Sequence, residues 1–360
     1  MIYRGHVSAL AAMIVVLLAL LTAGCVSGSG DDGSHQAPEG ERTINGVDVG
    51  DLTLRVGIFQ DVFRAQTDAT DFFKNTPYKV EWSRLNGAGP TVQALYGNAI
   101  DISWGLSDTA APKAAAEAKQ PWTAATAPIK IIGLLKPYDP AKYPPAIIAA
   151  NTDAGINALA DLRGKTYTYN EGGNANAVAL LALYKAGLTT KDVNVQLLQS
   201  DSIAPAIING SVQAGSTSLA QVGSAIDAGK VKQVATGPEV GFPGYVSVTV
   251  RTQALADPKL AAAIGDFSQR IARFQKWGAE HPDEIAKAFV STQQLTQDQA
   301  LLAARTSAST LIPVGPEDLG TKTEVDLMGV LEKAGFLPRP VDITQLLDAR
   351  YSEQITQAAQ

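Results

Sequence analysis

Residues able to do covalent or metal chemistry are scarce in this chain of 360 residues. Cys25 is its one cysteine, and the only histidine of the folded body, His281, sits in Trp277-Gly278-Ala279-Glu280-His281-Pro282-Asp283. No Ser-His-Asp order, no histidine pair at metal-ligand spacing and no Gly-x-x-x-x-Gly-Lys phosphate loop occurs. Without a cysteine beyond position 25, the body has no disulfide and no thiolate metal site, and a thiol nucleophile exists only through Cys25 itself. The chain is expected to be no enzyme and to use no cofactor and no metal.

What remains are groups suited to holding a small polar molecule, and they cluster in loops. Gln60, in Phe59-Gln60-Asp61, offers a donor and an acceptor to a solute, or satisfies an exposed turn. Asn86-Gly87-Ala88-Gly89-Pro90-Thr91 ends in Pro-Thr at a helix start, so Gly87, Gly89 and Thr91 present free amides that could hold an anion. In Gly105-Leu106-Ser107-Asp108-Thr109, the residues Ser107, Asp108 and Thr109 are candidate contacts, with helix capping by Ser107 or Asp108 as the alternative. Gly172-Gly173-Asn174-Ala175-Asn176 offers Gly173, Asn174 and Asn176 at a further helix start, and Thr217 and Ser218 supply hydroxyls in Ser216–Gln221. Tyr245 either reaches the solute or packs a hinge. These loops carry no Lys or Arg, so an anion there would rely on helix amino termini, each contributing ~0.3–1 kcal/mol and about 2 when partly buried. Arg84 is the nearest cation in sequence, on a strand whose alternation leaves its face open.

The elements that must position these loops alternate along the chain. Leu52–Phe59, Lys79–Ser83 and Ile100–Trp104 read as strands, with helices over Thr67–Lys74, Thr91–Tyr96 and Thr109–Ala118. A second series follows Pro144-Pro145: strands Lys165–Tyr169, Val193–Leu198 and Ala214–Thr217, with helices Ala175–Ala186, Ile203–Gly210 and Leu219–Ala228. Such alternation predicts mainly parallel sheets covered on both faces, with ligands beyond the carboxyl ends of the strands. The apolar stretches Ala146–Ala150 and Tyr245–Val250 read as two crossings between lobes, and Leu260–His281, Asp283–Val290, Asp298–Ser307 and Thr321–Ala334 as helices packing back on the first lobe.

The amino terminus concerns location. Arg4 precedes the apolar stretch Leu10–Leu21, which ends in Leu21-Thr22-Ala23-Gly24-Cys25: the layout of a secretory signal, too short to span a bilayer. This end resembles the bacterial lipobox, which implies cleavage before Cys25, lipidation of Cys25 and an exported protein held on the outer face of the cell membrane. The Gly/Ser-rich and polar sequence to about Gly50 reads as a tether with a reach of roughly 25–30 Å. Removal of residues 1–24 takes away only Arg4, leaving 28 basic against 35 acidic side chains and a net charge of −7. With no basic run, nucleic acid is a poor partner. The roughly 300 residues after the tether suggest two lobes.

Three stretches resemble the solute-binding proteins of ABC importers of the nitrate, sulfonate and taurine group. They are Val80-Glu81-Trp82 with Gly89–Leu95 and Ala99–Ile102; Ile156–Thr166 with Asn170–Ala175; and Ala334-Gly335-Phe336-Leu337-Pro338-Arg339-Pro340-Val341-Asp342. The resemblance implies an α/β, two-lobed periplasmic-binding-protein-like (type II) fold with two crossing strands. On that pattern residues 1–24 are the signal peptide and 25–50 the tether; lobe 1 is 51–150 plus 242–350, lobe 2 is 151–241, and 351–360 is a tail. It further implies a monomer that closes on a small polar or anionic solute, sulfonate-, nitrate- or taurine-like, for an ABC permease and its ATPase. Family members often carry tryptophan, aspartate and tyrosine near Ser216–Gln221, where this chain has small hydroxyl residues and glutamine. The alternatives are an enzyme on the same fold acting on a sulfur or pyrimidine compound, and a solute sensor outside transport. A scaffolding lipoprotein would need repeats, and none occur.

Overall fold

Alternation of apolar and polar side chains sets the first strands: in Thr53–Ile58, Leu54 and Val56 are buried while Arg55 reaches the edge. The structure is a computed structural model that describes residues 42–59 and 61–360. The proposed signal peptide, Cys25, most of the tether and Gln60 lie outside the described residues. Among the described residues, a six-stranded sheet runs in the order Ser309–Ile312, Ile129–Pro137, Val246–Arg251, Ile102–Ser107, Thr53–Ile58, Lys79–Arg84. A five-stranded sheet runs Val231–Thr236, Ile147–Asn151, Ala214–Thr217, Thr166–Tyr169, Asn194–Leu197. The two sheets with their helices make two α/β lobes, as the sequence predicts.

The sheets are mixed rather than mainly parallel. Thr53–Ile58 is parallel to both neighbours, and Thr166–Tyr169 likewise. Val246–Arg251, Ser309–Ile312 and Ile147–Asn151 pair antiparallel. Helical crossovers force parallel strands only inside the two strand-helix-strand series, whereas the antiparallel strands enter from the other lobe or from the late helices. Both stretches expected as crossings are strands: Ile147–Asn151 lies in the five-stranded sheet and Val246–Arg251 in the six-stranded one. A run apolar on both faces belongs inside a sheet, not in a linker. The connections between sheets are residues 138–146 and 237–245, which lie side by side through the Gly237 N–H donating to Ala146 O at 2.8 Å. Gly244, at φ 82°, is packed so closely that a Cβ would stand 2.7 Å from Pro145 Cγ. Only glycine combines that conformation with that approach.

Two boundaries also shift. Residues 43–48, assigned to the tether, pair as Thr43–Ile44 with Val47–Asp48, and Val49 behind them is fully buried. Residues 351–360, assigned to a tail, contain the helix Ser352–Ala358, where Ile355 is buried and the Tyr351 hydroxyl donates to Ala261 O at 2.8 Å. In both segments a few apolar side chains find the long helix Pro258–Glu280, a partner that local composition does not reveal. The first lobe's core centres on Trp104, ringed by Phe63, Phe73 and Phe274 at centroid distances of 5.3, 5.4 and 5.5 Å.

The late helices do more than cover the first lobe. Gln297–Ser307 meets Leu219–Asp227 of the second lobe, where Gln299 Nε2 donates to Ser224 Oγ at 2.8 Å and a Cβ on Gly223 would stand 2.4 Å from Leu302 Cδ2. Leu319–Lys333 packs on Asn174–Lys185. The lobes are therefore in contact on both flanks of the cleft.

Candidate functional site at the lobe junction

The carboxyl end of Ile102–Ser107 delivers Ser107, Asp108 and Thr109 to the second lobe, where the loop after Thr166–Tyr169 ends at Gly173 and opens the helix Asn174–Lys185. Asn174 is the centre of the meeting. Its backbone N–H donates to Ser107 Oγ at 3.3 Å, its Oδ1 accepts from Thr109 Oγ1 at 2.9 Å, and its Nδ2 donates to the Tyr245 carbonyl at 2.7 Å. Gly173 packs against Ser107, and a Cβ there would stand 2.8 Å from Ser107 Oγ and 3.4 Å from Ala88 Cβ. Tyr245 joins this group because Val246 pairs with Ser107.

Behind this junction lies a buried carboxyl pair. Asp108 is fully buried; its Oδ1 accepts the Thr109 N–H at 3.0 Å and its Oδ2 has no hydrogen-bond partner. Glu324, on Leu319–Lys333, is equally buried and both its oxygens are unpartnered. Burial pushes the Asp108 carboxyl up to about 7, with the Glu324 carboxyl, Asn174 and the Thr109 amide pulling the other way. Burial and then the charge of Asp108 hold Glu324 well above the usual carboxylate range. Burial thus biases both carboxyls of the pair toward the protonated form. The Tyr245 phenol, raised by burial, interacts with Thr323 and feels both carboxyls. No Lys or Arg is among the main influences on either acid.

The structure brings Ser107, Asp108, Thr109, Gly173, Asn174 and Tyr245 together, with Ala88 of the Gly87–Gly89 loop beside Gly173, and gives the other candidates roles in their own loops. Gly87 precedes the helix Ala88–Tyr96 at φ 105°, and its carbonyl accepts from Thr91 Oγ1 at 2.9 Å, so Thr91 serves its own turn. Gly89 is exposed, with open space where a Cβ would sit. Asn176 Oδ1 accepts the Gly172 N–H at 3.3 Å, which makes it a brace of its own loop. Thr217 Oγ1 donates to Gln221 Oε1 at 2.8 Å, and Ser218 caps Leu219–Asp227 by accepting the Gln221 N–H. Helix capping by Ser107 or Asp108 is not what the structure has: the residue flanking Ala110–Glu117 is Thr109, with no side-chain cap. Gln60 lies outside the described residues.

Sequence reasoning missed Glu324 and treated Thr321–Ala334 as a covering helix. The signal was an acid inside an apolar stripe, since Glu324 shares its face with the buried Leu327, Met328 and Leu331 at i+3, i+4 and i+7.

Comparison with known proteins first fixes the class. No curated protein matches the chain by sequence. Among solved structures, the alkanesulfonate-binding protein SsuA from Xanthomonas axonopodis pv. citri, bound to MOPS, aligns with TM-score 0.65 at 19% identity over 82% of this chain and 98% of its own. A Candida albicans gene product described as exhibiting the generic periplasmic binding protein structural fold aligns with TM-score 0.62 at 15% identity, over 83% and 96%. The desulfurization enzyme DszB, in complex with biphenyl-2-sulfinic acid, aligns with TM-score 0.57 at 12% identity, over 85% and 99%. At such identities the likeness is one of fold, and the fold is the two-lobed one of periplasmic binding proteins. The family model described as NMT1/THI5 like then matches residues 123–285. That span, under half of the chain, holds the second of the three resembling stretches, Ile156–Thr166 with Asn170–Ala175, and agrees with the resemblance there.

Proposed function

We propose that this chain is the extracytoplasmic solute-binding component of an ABC importer. It captures a small polar solute between its lobes and presents the closed outline to a permease and its ATPase. The observation that carries this reading is the junction itself: loops at the carboxyl ends of strands in both lobes converge, with Asn174 donating to Ser107 Oγ and the Tyr245 carbonyl and accepting from Thr109 Oγ1. A solute lodged there would touch both lobes and bind the closed state more tightly, so it would shift the population toward closure. The DszB likeness keeps an enzyme on this fold as the competing reading, but no thiol or imidazole stands in the cleft among the described residues. His281 is stacked on Trp277 at 4.8 Å, at the end of the helix Pro258–Glu280.

Anchoring rests on the Leu21–Cys25 sequence alone, so lipidation of Cys25 and attachment to the outer face of the cell membrane belong to the proposal. Among the described residues no helix is long and apolar enough to cross a membrane. Two measurements test the reading. A thermal-shift screen against sulfonates, nitrate, taurine, pyrimidines and amines should find a stabilising solute, and a blank screen would count against solute capture. Cys25→Ser should release the protein from the membrane fraction or leave an uncut precursor, and processed, membrane-bound variant protein would refute the anchor.

A further inference from the structure

We propose that the solute carries a cationic nitrogen, an ammonium or an amidinium, that docks against the carboxyl groups of Asp108 and Glu324 at the lobe junction. This rests on reading the cleft as the solute site and names the chemistry of that site. Three buried carboxyl oxygens, Asp108 Oδ2 and both of Glu324, have no hydrogen-bond partner. Of the donors nearby, Thr109 Oγ1 is engaged on Asn174, Asn174 Nδ2 on the Tyr245 carbonyl and Thr323 Oγ1 on the Leu319 carbonyl at 2.8 Å, while the Thr321 hydroxyl is left without a partner. Acceptors without donors, walled off from water, suit a ligand that brings its own N–H groups.

Two independent features point the same way. Tyr245, whose carbonyl accepts from Asn174 Nδ2, brings a phenol that feels the charge of both acids. Thr321, one turn before Glu324 on the same helix, is also buried with an unpartnered hydroxyl. A sulfonate or nitrate without a compensating cation would instead face a buried carboxylate, and like charges at short range in a dry site repel strongly. Where the sequence allows a polar or anionic solute, this proposal takes a cationic or zwitterionic one. The other use of such a pair is structural, two carboxyls sharing one proton to hold the lobes together, and the test separates the two.

The experiment is calorimetric titration of the full chain at pH 7.5 with four probes: propylamine and 1,3-diaminopropane as cations, taurine as a zwitterion, and propanesulfonate as an anion without nitrogen. The expected result is binding of at least one nitrogen-bearing probe more tightly than propanesulfonate. Asp108→Asn and Glu324→Gln, both isosteric, should each weaken it by about tenfold to a hundredfold, the loss of a charge-assisted hydrogen bond. Repeating the titration in buffers of different ionisation heat should reveal net proton release, because a cation favours both carboxyls ionised. Propanesulfonate binding unchanged or strengthened by Asp108→Asn, with the amines silent, would overturn the inference while leaving solute capture intact. Amine binding undiminished in both variants, or amine binding without proton release, would also overturn it by leaving the pair a structural one. Silence of all four probes would overturn the inference as well, while the wider thermal-shift screen decides solute capture separately.

Discussion

Closure should be separable from folding at Gly173. This residue has φ −130° and ψ −163°, ordinary extended backbone open to any L residue, so alanine there is not strained in itself. Its Cβ would nevertheless stand 2.8 Å from Ser107 Oγ and 3.4 Å from Ala88 Cβ, both on the facing lobe. Overpacking of this kind costs ~1–3 kcal/mol. Because Ser107 and Ala88 belong to the other lobe, the penalty falls on the closed state alone, whereas the loss of glycine at the helix start is common to open and closed states and cancels. A solute that binds only the closed state should therefore lose roughly 5- to 150-fold in affinity, while the open protein's urea midpoint moves little. The second arm is Ser107→Ala with Gly173→Ala, which removes the 2.8 Å contact and leaves Ser107 Cβ at 3.5 Å. It forfeits the hydrogen bond from the Asn174 N–H, worth ~0.5–1.5 kcal/mol, but should recover most of the lost affinity. Isothermal titration of the four proteins of this cycle, with small-angle scattering of each, gives the coupling. Equal affinity of wild type and Gly173→Ala, or a double variant weaker than the sum of the singles, would refute the idea that these lobes meet at this contact in the bound state.

Asp101, 1% exposed, accepts from the Arg55 backbone N–H and side chain and from the Arg251 guanidinium at 2.7–3.0 Å. Asp101→Asn should destabilise the first lobe by about 1–3 kcal/mol in urea unfolding, since the half-buried Arg251 and Arg55 lose the charge of their buried partner, and no measurable loss would refute a structural role for this cluster. The Asp108–Glu324 pair sets a pH dependence of the opposite sign to most carboxylates. Their folded values lie above the ordinary range, so their contribution is full below about pH 4 and is lost as pH rises through about 7. The melting temperature should accordingly fall between pH 5 and pH 8, and Glu324→Gln should flatten that fall. A melting temperature that rises over this interval would contradict the shared burial of the two acids.

Much of the fold was legible in the chain because local patterns carry it. The two strand-helix-strand series, the glycine-rich helix starts at Gly87 and Gly173, and the loop Ser107-Asp108-Thr109 follow from periodicity and turn chemistry that neighbouring residues set among themselves, although the first helix is Asp61–Asp68 and not the expected Thr67–Lys74. The strand Ile129–Pro137 escaped such reading, although Ile129-Lys130-Ile131-Ile132-Gly133-Leu134-Leu135 is an apolar run, because a stretch buried on both faces shows no alternation. The hairpin at 43–48 and the helix Ser352–Ala358 were equally silent, since each is held by a distant helix.

For the candidate site, the sequence by itself determined which loops could face a cleft and that none of them carries Lys or Arg. It could not say that Asn174 would bond across to Ser107, Thr109 and Tyr245 while Asn176, two residues on, would brace its own loop, because that choice depends on where the opposite lobe lies. Nor could it pair Asp108 with Glu324, which is 216 positions away in the chain. Their chemistry comes from burial and mutual proximity, and desolvation is a property of the packed interior that no local run of residues contains. Only the tertiary structure brought two ordinary carboxylates together in a dry interior.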